Sequence, residues 1–332
     1  MSNPWKSIPR CEEKESVNGK RVDSEHPYGL YWAVGYDNSY LLLMTYNGKA
    51  SPLRLPKLKG LEIFSQENSS PEKSQIFLKL IDPKYQDIFY RLCCDIIAAT
   101  KNAQSNDEAV TIFVARTWRW HQFLKGERTK ALSPEEQKGL IGELSVLKEF
   151  LLPLLNPRDA VNAWTGPSGS PKDFEIGRLA IESKVRRGAA KPFVAISSEH
   201  QLDTSSIECL LYVLEVFTAP EKACDGFTVS QLASELKQSL AEKDPVSAEQ
   251  FEALLYEYGL NIDDDYSDYI WQIGKHYFFD IKEGFPRITS DKLLPGVVNV
   301  KYSISLSECS GYRVSDDTAN AQIKEARNGI NA

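Results

Sequence analysis

The sequence predicts a mixed α/β protein, and three observations carry that prediction. Short runs rich in aromatic and β-branched residues alternate with amphipathic helical stretches, a Gly177-Arg178 turn separates two alternating strand patterns, and residues 209–217 (CLLYVLEVF) are almost continuously apolar. A run of that last kind reads as a strand buried on both faces of a covered sheet. At 332 residues the chain has room for about two domains, or for one elaborated α/β domain.

Taken in order, the first elements are strands. LYWAVGY from Leu30, SYLLLMTY from Ser39 and QIFLKLI from Gln75 are separated by Asp-Asn-Ser and Asn-Gly turn residues. After Pro83 the apolar spacing becomes helical in IFYRLCCDIIAA and again in EAVTIFVARTWRWHQFL, with Asn106 or Asp107 as cap. Ser133-Pro134-Glu135-Glu136 joins an N-cap serine, a proline at the first helical position and a capping-box glutamate, so a helix should run to about Leu152. Its stripe is Leu140, Ile141, Leu144, Leu147 and Phe150, with Glu143 beside it.

Ser198-Glu199-His200-Gln201 is a second capping-box pattern and predicts another helix start, with Gln201 as a capping residue. Beyond residue 220, SQLASELKQSLAEK and SAEQFEALLYEY read as helices, Asp263 to Asp265 as a solvated turn, and WQIGKHYFFDI and VVNVKYSISL as strands. The last dozen residues read as frayed. Three regions follow: an N-terminal α+β region over 1–130, a central core over 131–220, and an acidic helical, then β-rich, region over 221–332.

The composition, 42% hydrophobic and 26% charged, is that of a folded globular chain and excludes disordered and fibrous classes. Six scattered cysteines without a CxxC pair read as reduced thiols, not as a disulfide frame or a zinc site. The N-terminal stretch lacks an apolar signal-like core and no run approaches a membrane span, so a cytoplasmic protein with no membrane partner is expected. Net charge is −7, which as a global figure argues against a polyanion partner. Resolved along the chain, residues 221–283 hold 14 acidic and 5 basic side chains, leaving the remainder weakly basic. Residues 171–191 carry six basic groups against three acidic, and residues 116–130 carry five against one. Stretches of that kind suit a polyanion, and Lys172, Arg186, Arg187 and Lys191 are the candidate nucleic-acid contacts.

PKDFEIGRLAIESKV (residues 171–185) is the informative hairpin. Glycine at the first turn position fits a type II′ turn and fixes the register, with Ile176 opposite Leu179, Phe174 opposite Ile181 and Asp173 opposite Glu182. The period of two puts Phe174, Ile176, Leu179, Ile181 and Val185 on a core face and Asp173, Glu175, Ala180, Glu182 and Lys184 on a charged one. Two carboxylates directly opposed repel one another, and a divalent cation such as Mg²⁺ relieves that repulsion. Lys184 beside them would offset negative charge on an attacked phosphate. The same pattern also suits a solvated hairpin face on which Lys184 simply neutralises Glu182.

GELSVL around Glu143, Asp173 in PKD and Glu182-Ser183-Lys184 in IESK resemble the PD-(D/E)XK nuclease signature over about residues 133–217, in a helix, hairpin, helix and strand order. GLIGELSVLKEFL, IESK with a Ser-rich helix start at Ser197, FPRIT and LPGVVNVKYSISL extend the resemblance to PD-(D/E)XK proteins of bacterial anti-phage defence loci. The sequence departs from some members in having Pro-Lys-Asp for Pro-Asp, with the aspartate kept. The resemblance implies a restriction-endonuclease-like core in which Asp173 and Glu182, with the backbone carbonyl of Ser183, hold Mg²⁺ (or Mn²⁺). Lys184 would orient the attacking water. Glu143 would touch the metal site directly or through water, or, on the plainer reading, reach to solvent as a boundary residue.

The expectation is therefore a Mg²⁺-dependent DNA endonuclease of a restriction-like defence system, with partner proteins of the same locus supplying targeting and with oligomerisation open. Two rivals stand beside it: a catalytically silent DNA-binding or assembly subunit, and an acidic C-terminal surface that binds protein or mimics DNA.

Overall fold

Alternating apolar residues and glycine-marked turns build a five-stranded sheet in each of two separate parts of the chain. A computed structural model describes residues 3–14, 16–47, 60–67, 73–124, 131–188, 192–220 and 224–328. It divides into two compact units, Met1–Arg128 and Thr129–Ala332.

In the first unit, β1 (Val17–Arg21), β2 (Gly29–Gly35), β3 (Tyr40–Asn47), β4 (Leu61–Glu67) and β5 (Lys73–Leu80) form an antiparallel sheet in the order β1-β2-β3-β5-β4. Strand alternation sends Leu30, Trp32, Leu42, Met44, Ile76 and Leu78 to one face. There they pack against Phe89, Leu92 and Ile96 of α1 (Gln86–Thr100) and Val110 and Phe113 of α2 (Asn106–Leu124). The edge strand β1 was not legible, since VNGKR carries no apolar alternation, and in β4 the alternation is confined to Leu61 and Ile63. The cap of α2 is Ser105, whose Oγ accepts from Glu108 N at 3.1 Å, rather than Asn106 or Asp107.

The second unit is built on a mixed sheet of order β12-β10-β9-β7-β6. Its strands are β6 (Phe174–Ile176), β7 (Leu179–Arg186), β9 (Glu208–Thr218), β10 (Trp271–Asp280) and β12 (Arg313–Val314), and only the β7–β9 pair is parallel. One face is covered by α3 (Pro134–Val146), α4 (Pro157–Ala163), α5 (Val229–Lys243), α6 (Pro245–Tyr258) and α7 (Asp316–Asn328). The other is covered by a two-stranded sheet of β8 (Phe193–Ile196) and β11 (Tyr302–Ser305), through Val194, Ile196 and Ile304 against Ala180, Leu211, Val213 and Phe279. Leu210, Tyr212, Leu214 and Val216 point to the helices, and Cys209, Leu211 and Val213 to the small sheet, so 209–217 is a strand covered on both sides as expected. Residues 131–188 and 224–328 thus contribute to the same sheet and to the apolar layers on both of its faces.

Three expectations are corrected. Residues 316–328 are not frayed: α7 buries Ala319, Ile323 and Ala326, one apolar stripe on an otherwise polar helix. No helix follows Ser197 or Ser198. Residues 199–202 form a turn in which Gln201 Oε1 accepts from Ser197 N at 2.7 Å, because the residues after Gln201 offer no apolar helical face to bury. The β7–β9 crossover is therefore made of β8 and turns. Finally, the strand read in VVNVKYSISL is confined to Tyr302–Ser305. No helix among the described residues is long and apolar enough to cross a membrane, and all six cysteines are unpaired.

Candidate active site

Local chemistry sets each wall of the site. The α3 helix starts where the sequence says, with Ser133 Oγ accepting from Glu136 N and the Glu136 carboxylate accepting from Ser133 N. It continues past Val146 as a π-helical turn, Leu147–Leu151. Gly142 faces β7: a Cβ there would lie 2.5 Å from Val185 Cγ2 and 2.7 Å from Ser183 Oγ. Glycine therefore lets α3 lie directly on the strand, which brings the neighbouring Glu143 to the mouth of the hairpin.

The hairpin has the expected register, Ile176 with Leu179 and Phe174 with Ile181, around Gly177 at φ 54°. The ladder stops one residue short of the expected Asp173–Glu182 pair. Asp173 instead turns its Oδ2 onto Ser183 N at 2.7 Å, while its carbonyl accepts from Thr165 N and Gly166 N at 2.8 and 2.9 Å. Of the expected charged face, Glu175 is exposed but the rest is largely withdrawn from solvent. Ala180 belongs to the second core, Glu182 is completely buried, and Lys184 Nζ sits 2.7 Å from Glu182 Oε1. Glu143, only 7% exposed, accepts from the Trp164 indole N–H at 2.7 Å and does not reach to solvent. Glu143 Oε2 and Asp173 Oδ1 flank Gly166, lying 3.0 and 3.3 Å from where its Cβ would stand.

Gathering three carboxyls away from water shifts all of them towards the protonated form. Burial first, and the Asp173 charge second, push Glu182 up to about 8, against the pull of Lys184. Burial and then Asp173 push Glu143 well above the carboxylate range, opposed by the Trp164 N–H. Asp173 is raised by burial, with Lys184 and the Ser183 N–H opposing. For Lys184, burial works against the ammonium, but Glu182, Asp173 and Glu143 outweigh it and hold the pKa above the ordinary lysine value. The centre is electrostatically frustrated: it holds more potential negative charge than one lysine neutralises.

Glu143, Asp173, Ser183 and Lys184 line a cleft of about 290 Å³, together with Gln201 and Tyr258. Glu182 lies behind it. Tyr258, at the end of α6, stands with Glu143 in the cleft wall, and its phenol is raised by burial and then by the Glu143 and Asp173 charges. Trp164 and Tyr258 escaped the sequence reading, since neither belongs to a spaced motif. Gln201 reaches the cleft as a turn residue and not as a helix cap.

The expected nucleic-acid contacts fare differently. Lys172 is buried, and its Nζ donates to the carbonyls of Gln201 and Asp203 at 2.6 and 2.8 Å, so it tethers the 199–203 turn and is not open to a phosphate. Arg186 pairs with Glu215 at 2.8 Å between largely buried side chains. Arg187 is exposed, and Lys191 lies outside the described residues, as do 125–130 of the basic 116–130 stretch.

Among the described residues no three His, Cys, Asp or Glu side chains are gathered closely enough to hold a cation alone. The donor set nonetheless suits a hard divalent ion. Glu182 Oε2 is buried without a hydrogen-bond partner beside the charge of Asp173, and Mg²⁺ is typically held by one or two carboxylates, with water and phosphate oxygens completing its shell.

Comparison with curated proteins and comparison with solved structures each give no match. One family model does match, over residues 1–307, and it spans α3, the hairpin and the whole carboxylate cluster. The chain belongs to that family, described as "Putative PD-(D/E)XK family member, (DUF4420)".

Proposed function

We propose that the protein is a divalent-metal-dependent nuclease that hydrolyses DNA phosphodiester bonds in the cytoplasm, within a restriction-like anti-phage system whose other proteins supply targeting. The observation that carries this reading is the convergence of Glu143, Asp173 and Lys184 on one cleft, with Glu182 bonded to Lys184 and holding an unpartnered oxygen behind it. A surface salt bridge would not bury a carboxyl at the expense of a pKa near 8. The defence role rests on sequence resemblance.

Asp173, Glu182 and the Ser183 carbonyl are the groups proposed to hold Mg²⁺ or Mn²⁺, which when bound supplies Lewis-acid polarisation of a phosphoryl oxygen. The chain's own groups do the rest. Ser183 N fixes Asp173 Oδ2, so that carboxylate keeps its other oxygen towards the cleft wall at Gly166. Lys184, kept protonated, presents N–H donors that orient the attacking water and offset charge developing on the phosphate. Glu143, biased towards the protonated form by burial and fixed by Trp164, stands as a positioned carboxyl beside Asp173.

The test is plasmid cleavage in Mg²⁺, Mn²⁺ or EDTA, with and without proteins of the same locus. Metal-dependent cutting should fall at least about 100-fold in Asp173→Ala and in Lys184→Ala. Cutting that survives both substitutions, or duplex binding without cutting under every metal and partner condition, contradicts the proposal. The second outcome favours a silent binding subunit.

A further inference from the structure

The segment following β10 makes a protrusion that the carboxylate centre does not use. Leu294-Pro295-Gly296-Val297 closes a turn, with Val297 N donating to Leu294 O at 3.0 Å and Gly296 at φ 88°. Proline at the second and glycine at the third position give the type II turn such geometry needs. The tip is apolar and open to water: Leu294 is 77% exposed, Val298 69% and Val297 44%. The described residues contain no more exposed large apolar side chain than Leu294.

The base of this protrusion is clasped to the edge of the cleft. Arg287 Nη1 donates to Leu202 O at 2.7 Å, and Ser290 Oγ meets His200 Nδ1 at 3.3 Å. On the returning side the Glu199 carboxylate accepts from Asn299 N and Val300 N at 3.1 and 2.9 Å. All these partners belong to the 199–202 turn, whose Gln201 lines the cleft and which Lys172, next to Asp173, tethers by its ammonium. The chain has therefore fixed an exposed apolar tip to the rim of the proposed nuclease site.

Charge identifies what the tip meets. Residues 284–301 contain Arg287, Lys292 and Lys301 against one acidic residue, Asp291. Lys292 and Lys301 are exposed at either end of the tip, and neither makes an ion pair among the described residues. Three small apolar side chains are far short of the ~800 Å² per partner that a stable protein interface takes. They match the size of an apolar wedge entering between two base steps, with the lysines on the flanking phosphates.

Building on the nuclease reading, we infer that Leu294 and Val298 form a wedge that unstacks duplex DNA beside the cleft, with Lys292 and Lys301 gripping the backbone on either side. The experiment uses the full chain in EDTA, so that no strand is cut, and short duplexes carrying 2-aminopurine at successive positions. Binding of the wild type should raise 2-aminopurine fluorescence. Leu294→Ser/Val298→Ser should lose most of that rise and about tenfold in affinity, with an unchanged melting temperature. Lys292→Ala/Lys301→Ala should weaken binding and reduce the salt slope by about two, yet keep the rise at saturation.

A wild type that cuts plasmid but binds these duplexes without a fluorescence change overturns the wedge and leaves the nuclease reading standing. The wedge is equally overturned if the apolar variant binds and unstacks like wild type, or if that variant loses only capture of a protein from the same locus. A wild type that neither cuts nor binds overturns the nuclease reading and the wedge with it.

Discussion

Glu182 is the residue on which the chemistry of the centre turns. Its carboxyl ionises only as the pH approaches about 8, whereas in the unfolded chain it ionises near its ordinary value of 4.5. Between those values the native state holds a proton that the unfolded state has released, so stability falls as pH rises across that window. Glu143 and Asp173, raised for the same reason, add to the slope with the same sign. Urea unfolding of the metal-free protein should therefore give a lower midpoint at pH 8 than at pH 6, and Glu182→Gln should flatten the difference. An unchanged slope in that variant would place the titration elsewhere. Trp164 makes a second residue-scale prediction: Trp164→Phe keeps the ring but removes the N–H that satisfies a buried oxygen of Glu143. A loss of about 1–3 kcal/mol of stability is expected, read by the same titration. The common face of Glu182 and Lys184 was legible because a two-residue turn fixes the register of β7, whereas Asp173 joins them from beyond the ladder, through Ser183 N. Trp164 and Tyr258 were not, because they come to Glu143 from α4's end and from α6, and sequence distance hides such contacts.

Among the elements, helices with both a start signal and an apolar stripe could be read directly. The Ser133 capping box and the α5 and α6 patterns are examples, and Thr228 caps α5 with its own box through Gln231. The two failures are mirror images. Ser198 to Gln201 has a start signal but no stripe behind it, and it forms a turn. The segment 316–328 has a stripe of only three apolar residues in a polar context, yet it forms α7, because Ala319, Ile323 and Ala326 have a place on the core of the second unit. Tertiary burial decided both. Ile323 is fully buried, so Ile323→Ala should cost about 2–5 kcal/mol, measured as a shift of the urea midpoint at constant slope. A loss below about 0.5 kcal/mol would mean that α7 is peripheral to the core. The helix lies beyond residue 307, where the family match ends.

Across the whole molecule, net charge conceals a regional division of charge. The acidic 221–283 segment supplies α5, α6 and β10 to the sheet and its helical layer, and α6 brings Tyr258 into the cleft. It is therefore built into the unit that holds the centre. Conversely, much of the basic charge beside the hairpin is spent internally, Lys172 on carbonyls, Arg186 on Glu215 and Lys184 on Glu182. What that leaves at the hairpin is a site for chemistry more than an electrostatic landing surface, consistent with targeting by other proteins and with a separate contact at the 294–298 tip. The proposed role of Lys184 and its carboxylate neighbours in phosphodiester hydrolysis is tested by single-turnover cleavage of bound DNA at saturating Mg²⁺, comparing wild type with Lys184→Met. The chemical step should slow at least about 100-fold, with DNA affinity changed by less than about threefold. A Lys184→Met protein that cuts bound DNA at the wild-type rate would contradict it.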